Sequence, residues 1–328
     1  MTNKKFKLAA MSLATAVAVS TVGPSASAVT YQLEKGDVIV GQDDTGAYSY
    51  QNQTDGKTDN VYVDQDTQNN GQIIIKQTEG TTTDNTVTVE ENVTNKNGDR
   101  DVDIIIDGVN VDTSDTSTST DTPTEVATDT GNTGDKTIIK VGEGADVDLT
   151  VRDSNLTTGG NGIDIGVNLE GEDENKETNV DLTLDNTEIN LTEKDNTAGI
   201  VVRDHSTVDV TLKGENTIDG KKALENAAQE AGDAKKESTS SPNRNVEGIR
   251  VGGENAGDDS SGEGASLTIK GDDTSDQGSL NIDHTSTGMV ISNDSDVTLT
   301  DNADVDIKHT EAGSSTQGGR GIVQRGAI

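Results

Sequence analysis

The 328-residue chain contains no cysteine and no tryptophan. Neither disulfides nor thiolate metal sites can therefore hold it together. It has three prolines, one phenylalanine and four tyrosines, and only 29% of its residues are hydrophobic. With a mean hydropathy of -0.65, this composition excludes a thick globular core and borders on that of disordered chains. Cations are also scarce, 25 Lys and Arg against 60 Asp and Glu, for a formal charge of -35. That balance excludes a nucleic-acid binder, disfavours an anionic membrane surface, and leaves cations and neutral glycans as partners.

One apolar stretch stands out, and it lies at the start. Lys4-Lys5-Phe6-Lys7 precedes an apolar run from Leu8 to Val22 and then Ala26-Ser27-Ala28, the three-part plan of a secretory signal peptide. Residues 1–28 are expected to be removed, which takes away three lysines and no acid. An uncleaved anchor is the weaker alternative, because the run is short and alanine-rich and no later segment is apolar enough to span a bilayer. The expectation is a secreted chain with no membrane insertion after cleavage, attached to a cell surface through a region beyond Ile328.

What the chain does have is a repeated alternation. Val208-Asp-Val-Thr-Leu-Lys-Gly214 recurs as Val102–Gly108, Val147–Asp153, Val180–Asn186, Ala265–Gly271 and Ser295–Asp301. A second signature also repeats, Gly162-Ile-Asp-Ile165, Gly199-Ile-Val-Val202, Gly248-Ile-Arg-Val251, Gly288-Met-Val-Ile291 and Gly321-Ile-Val-Gln324. A third short run carries Val111, Leu156 and Ile189 at one offset, and Ile218 and Val305 one place later. The shortest intervals between heptads are 28 and 30 residues. Three strands per coil of about 28–30 residues predict an all-β fold, a parallel β-helix, right-handed by the crossover rule.

The prediction for residues 29–97 is the first coils of the same solenoid, with β-type runs at Asp37–Val40, Asn60–Val63, Gln72–Lys76 and Thr86–Val89. All the tyrosines, Tyr31, Tyr48, Tyr50 and Tyr62, lie here; covering the first open rung is preferred to sugar stacking. Residues 98–328 are read as the regular helix, truncated at its C-terminal end. Insertions are expected at about 112–134 and 221–245. The second contains the helix-forming stretch Lys221–Glu230, whose single leucine predicts weak docking.

If the third residue of each heptad points inward, its neighbours form outward columns. One is Asp103, Asp148, Asp181, Asp209, Ser266 and Asp296; the other is Ile105, Thr150, Thr183, Thr211, Thr268 and Thr298. With strands roughly 4.8 Å apart, neighbouring carboxylates repel by about 0.9 kcal/mol even at the dielectric constant of water. Raised pKa values, fanned side chains or a hard cation such as Ca²⁺ would relieve the strain. The bland alternative is a solvated acidic face. The threonines offer hydroxyls to a polymer, although strand propensity alone also places them there. In the second strand, the column Asp164, Val201, Arg250, Val290 and Val323 is expected to be covered by a loop.

Catalysis finds little support in the residue pattern. Only Arg203-Asp204-His205 brings candidate acid–base groups together, at a turn where charged residues are common. No Gly-His-Gly run, no Asp-Asp pair beside a strand-end Asn-x-Asp and no Arg-x-Lys segment like those of polygalacturonases is present.

The run Val-Asp-Val-Thr-Leu-Lys-Gly-Glu-Asn-Thr-Ile from Val208, the Gly-Ile-x-Val second strand, and Gly262-Glu-Gly-Ala-Ser-Leu-Thr-Ile269 together carry a resemblance. They resemble the secreted parallel β-helix modules of anaerobic Gram-positive bacteria described as carbohydrate-binding-domain or adhesin-like proteins. The likeness runs from about Val102 to the C-terminus. It implies a pectate-lyase-like coil without lyase residues, binding of acidic polysaccharide, and calcium held by carboxylates. The chain departs from it in having no aromatic residue after Tyr62. The expected function is a non-catalytic, adhesin-like element that binds a polysaccharide or a cell-surface glycan, with calcium. A passive acidic stalk and a pectin-degrading enzyme are the second and third readings.

Overall fold

The alternating heptads form strands, and each lies parallel to its counterpart in the next coil. The computed structural model describes residues 28–44, 46–53, 56–62, 72–94, 102–114, 137–169, 176–193, 197–226, 245–253, 264–272, 278–292, 294–300, 302–308, 310 and 319–324. The expected leader, apart from Ala28, and most of both expected insertions lie outside these residues.

Sheet I contains Val29–Gln32, Ile73–Lys76, Val102–Asp107, Asp146–Arg152, Thr178–Asp185, Ser206–Lys213, Ser266–Gly271 and Asp296–Thr300, hydrogen-bonded in that order. Sheet III stacks Asn110–Asp112, Asn155–Thr158, Glu188–Leu191, Glu215–Asp219, Ser279–Asp283 and Asp304–Ile307. Sheet II stacks Gly36–Asp43, Val87–Val89, Ile139–Gly142, Ile163–Val167, Thr197–Val202, Val246–Val251, Thr287–Ile291 and Arg320–Gln324. One coil visits the three in turn: Asp146–Arg152 in sheet I, Asn155–Thr158 in sheet III, Ile163–Val167 in sheet II. This is a parallel β-helix with three strands per coil.

The interior is a single narrow column of aliphatic side chains. Leu149, Leu182 and Val210 from sheet I meet Leu156, Ile189 and Ile218 from sheet III and Ile163, Ile200 and Ile249 from sheet II in one buried cluster. Alternation thus supplies a continuous core although little of the chain is apolar. In the third run, Ile189 pairs with Ile218 as expected. Val305, however, stands beside Leu280, and it is Ile307 that continues the row after Ile282.

The corner after sheet I explains the last residue of the heptad. Gly108, Asp153, Asn186 and Gly214 have φ of 67°, 48°, 53° and 59°, the left-handed region that Gly, Asn and Asp tolerate best. Beyond one of these corners Asn216 is buried. Its Nδ2 donates to the carbonyls of Leu184, Lys213 and Ser279, while its Oδ1 accepts from Thr187 N–H at 3.0 Å. Backbone groups of three coils are satisfied by one amide.

The glycines of the second signature have a steric cause. A Cβ on Gly162 would lie 2.6 Å from both Gly199 O and Ile189 Cγ2, and one on Gly199 would lie 2.5 Å from Ile218 Cγ2 and 2.8 Å from Gly248 O. Each glycine lets the sheet II strand pass close to the next coil and to the isoleucine of sheet III.

Two expectations fail at the edges. Val61–Tyr62 is not a coil strand: it pairs antiparallel with Gly46–Gln53, which itself folds back antiparallel on Gly36–Asp43. Gly46, at the start of the returning strand, has φ 143°, a turn that only glycine makes without strain. The helix at Lys221–Asn226 does dock, because Ala223 and Leu224 are buried in the core cluster. Asp219 Oδ1 accepts from Lys221 N–H at 2.8 Å to start it. Two apolar residues suffice where a coil corner already provides the pocket.

Candidate functional surfaces

The outward side of sheet I is open, and the register of its strands decides which side chains meet there. Asp103, Asp148, Asp181 and Asp209 are consecutive Cα partners, and so are Thr150, Thr183 and Thr211. Beyond Ser206–Lys213 the expected columns break, because the next strand is set two residues away from the alignment of the heptads. Thr268 stands beside Asp209, Lys270 beside Thr211, and Ser266 beside Thr207. Thr298 still follows Thr268, while Asp296 follows Ser266. Asp296 therefore leaves the aspartate row and ends a row made by Asp146, Asn179, Thr207 and Ser266. A slip of two residues keeps every apolar side chain inside, so alternation could not reveal it.

The aspartate row begins with a hydrogen bond, Gln72 Nε2 to Asp103 Oδ2 at 2.7 Å. Asp181 and Asp209 join Asp146, Asn179 and Thr207 around a shallow depression of about 170 Å³. Among the described residues no group of three His, Cys, Asp or Glu side chains is placed to hold a metal ion. The row offers carboxylates as neighbouring pairs, short of the six to eight oxygens that Ca²⁺ takes.

A row further along the strands is arranged differently. Lys76, Asp107, Arg152, Asp185 and Lys213 are consecutive partners and alternate in charge. Asp107 accepts from Arg152 at 2.8 Å and lies 3.2 Å from Lys76. The Arg152 hydrogen bond, reinforced by Lys76, holds its carboxyl below the usual value. The face thus carries a row of alternating charge as well as an acidic one.

Sheet II is buried on both sides in its middle. Asp164, Val201, Arg250 and Val290, which form one outward row, are each no more than 3% exposed. This stretch of the row is covered, as its apolar members suggested, while the fifth expected member, Val323, pairs with Val290 but is only part-buried. Its charged members are paired: Arg203 Nε and Nη2 donate to the two carboxylate oxygens of Asp164 at 2.8 and 2.9 Å, Asn161 adds a third bond at 2.9 Å, and Arg250 Nε donates to Glu247 at 2.6 Å. Burial pushes the Asp164 carboxyl up, but the charge and hydrogen bonds of Arg203 outweigh it and hold the group below its ordinary value.

The Arg203-Asp204-His205 turn is drawn into this scaffold. Arg203 is spent on Asp164, Asp204 Oδ1 accepts from Gly253 N–H at 2.8 Å, and His205 occupies the left-handed corner with φ 62°. The turn shows a structural use for two of its three charged groups.

Only one of the four tyrosines covers the first rung. Tyr31 does face the core and donates to Ser49 at 3.1 Å. Tyr48, Tyr50 and Tyr62 instead lie on the outer side of the N-terminal hairpin, where their rings touch. Parity was the available signal, for Ala47, Ser49 and Gln51 are the buried alternates of that strand. The closing of the first coil falls to them: Gln51 Nε2 donates to Gln32 O at 2.7 Å and Gly36 O at 2.9 Å.

Compared with protein-family models, with curated proteins and with solved structures, the chain matches none of them.

Proposed function

We propose that the protein is a secreted, non-catalytic β-helix that binds a polysaccharide along the open face of sheet I, at a cell surface or in the surrounding matrix. The observation that carries this reading is the register of that face. Asp103, Asp148, Asp181 and Asp209 run beside Thr150, Thr183 and Thr211 at one-strand spacing. A linear array of like acceptors and hydroxyls offers the same hydrogen bonds repeatedly, which suits a ligand that is itself a repeat. Many weak contacts along one chain then add up to useful avidity.

Retention of the protein on immobilised polysaccharides tests the reading. Thr183→Val with Thr211→Val should weaken retention about tenfold, the effect of losing two ordinary hydrogen bonds, without moving the melting temperature. A passive acidic spacer predicts no retention on any glycan, and that result would favour it.

Calcium belongs to the proposal as a counter-ion bridging neighbouring carboxylates, its remaining positions filled by water. It should raise the melting temperature of the wild type, and Asp181→Asn with Asp209→Asn should remove most of the gain. Equal calcium responses in the two proteins would reduce the row to a solvated charged face.

A further inference from the structure

Every aromatic ring after Phe6 belongs to Tyr31, Tyr48, Tyr50 or Tyr62, and three of the four share one small surface outside the core. Tyr48 and Tyr50 stand two residues apart on strand Gly46–Gln53, and register sets Tyr62 directly against Tyr48. The Tyr48 and Tyr50 rings are stacked at 6.2 Å with 24° between their planes, and Tyr62 meets Tyr48 edge-on at 5.9 Å and 70°. The Lys57 ammonium sits 3.6 Å from the Tyr50 ring centroid.

The rings are held in place at their hydroxyl ends. Tyr48 donates to Glu90 at 3.3 Å and Tyr62 to Asp43 Oδ2 at 2.7 Å. Burial, with the Glu90 charge second, raises the Tyr48 hydroxyl to about 12, so it stays protonated and donating across the physiological range. Tyr62 is nonetheless 44% exposed. The apolar cluster that holds the coils together includes none of these three residues. Core stability therefore leaves a fixed, partly exposed aromatic cluster unexplained.

We infer that Tyr48, Tyr50 and Tyr62 form a stacking subsite for a neutral pyranose, an assignment that rests on the glycan-binding reading but uses a different surface. A ring of this kind presents an apolar face to sugar C–H groups while its polar end stays wet. The carboxylates of Asp43 and Glu90, each with about four acceptor positions, lie at the rim to receive sugar hydroxyls. Charge selects the sugar class. Two acids flank the rings, Lys57 is engaged on Tyr50, and the chain carries a formal charge of -35, so a uronate, sulfated or phosphorylated sugar is repelled.

Tyrosine fluorescence of the full chain reads the site without tryptophan background, as the chain has none. The chain is titrated with a neutral hexose oligosaccharide and, separately, with a uronate oligosaccharide of equal length. The expected result is a saturable change with the neutral sugar alone, weakened about tenfold in Tyr62→Ala and by less in Tyr62→Phe, which keeps the ring but loses its anchor on Asp43. Tyr62 lies outside the core, and circular dichroism confirms that the variants stay folded. Thr183→Val with Thr211→Val should leave this response intact. No response to the neutral sugar, preference for the uronate, or unchanged binding in Tyr62→Ala would overturn the subsite. If polymer retention persists in that case, the sheet I reading survives. If retention is absent while the oligosaccharide still binds, the subsite stands and the sheet I face is wrong.

Discussion

Arg203→Ala is expected to lower folding stability by about 3–5 kcal/mol, the cost of leaving one member of a buried ion pair without its partner. Asp164 is 2% exposed and receives two of its three side-chain hydrogen bonds from Arg203. The pH dependence gives the loss a signature. In the wild type the Asp164 carboxyl lies below its ordinary 3.8, so its contribution is complete above that value and is lost only as the pH falls through the depressed folded value. Burial is already the largest single influence on this carboxyl, and without Arg203 only Asn161 and Arg250 oppose it, so the folded value is expected to rise above the unfolded one. Lowering the pH from about 7 to about 5 then protonates the carboxyl and recovers part of the deficit.

Urea midpoints at the two pH values check this in the wild type, in Arg203→Ala, and in Arg203→Ala with Asp164→Asn. The double variant should be more stable than the single one near neutrality, because it carries no unpaired buried charge. A deficit that is the same at both pH values and in both variants would mean that Arg203 acts through packing and not through its charge.

The second large effect is steric. Gly199→Ala should cost roughly 1–3 kcal/mol, the usual price of inserting a methyl into a filled interior. Its Cβ would come within 2.5 Å of Ile218 Cγ2 and 2.8 Å of Gly248 O, whereas a Cβ on Gly321 meets nothing within 4 Å. Gly321→Ala, at the same position of the last described coil, should therefore leave the thermal midpoint nearly unchanged. Gly199 is not among the glycines with positive φ, so backbone strain does not confuse the comparison. Equal losses at the two positions would show that the glycine signature serves something other than close stacking.

The legibility of the chain follows from how far each signal reaches. The strand assignments of Val102–Asp107, Asp146–Arg152, Thr178–Asp185 and Ser206–Lys213 were plain because adjacent residues report which side faces the core. The Gly, Asn and Asp that close the heptads are equally local, but it is their positive φ that shows the corner. The Asp103–Asp209 and Thr150–Thr211 rows were found because nothing interrupts the register there. Docking of Ala223 and Leu224 was missed, since a pocket at a coil corner cannot be read from the two residues that fill it. The ion pair of Arg203 with Asp164 joins residues 39 apart, a distance at which charge pattern carries no pairing information. Tyr48 and Tyr50 were assigned by their nearness to the chain end, when the alternation of their own strand already set them opposite the buried Ser49.

By itself the sequence determined the coil: three strands, their inward residues, the turn after sheet I and the glycine at the start of the last five strands of sheet II. A period of two residues and a preference for left-handed corners are local properties, and local properties are written in order along the chain. Only the tertiary structure decided how far each coil slides on the next. Moving Ser266–Gly271 by two residues keeps Leu267 and Ile269 inside, so the core is indifferent, while the outward rows are redrawn and Asp296 parts from Asp209. It also decided that the outer side of sheet II is covered and that of sheet I is open. Burial of an outward side chain depends on what lies above it; the apolar members of the sheet II row point to a cover, but the strand pattern does not record what supplies it.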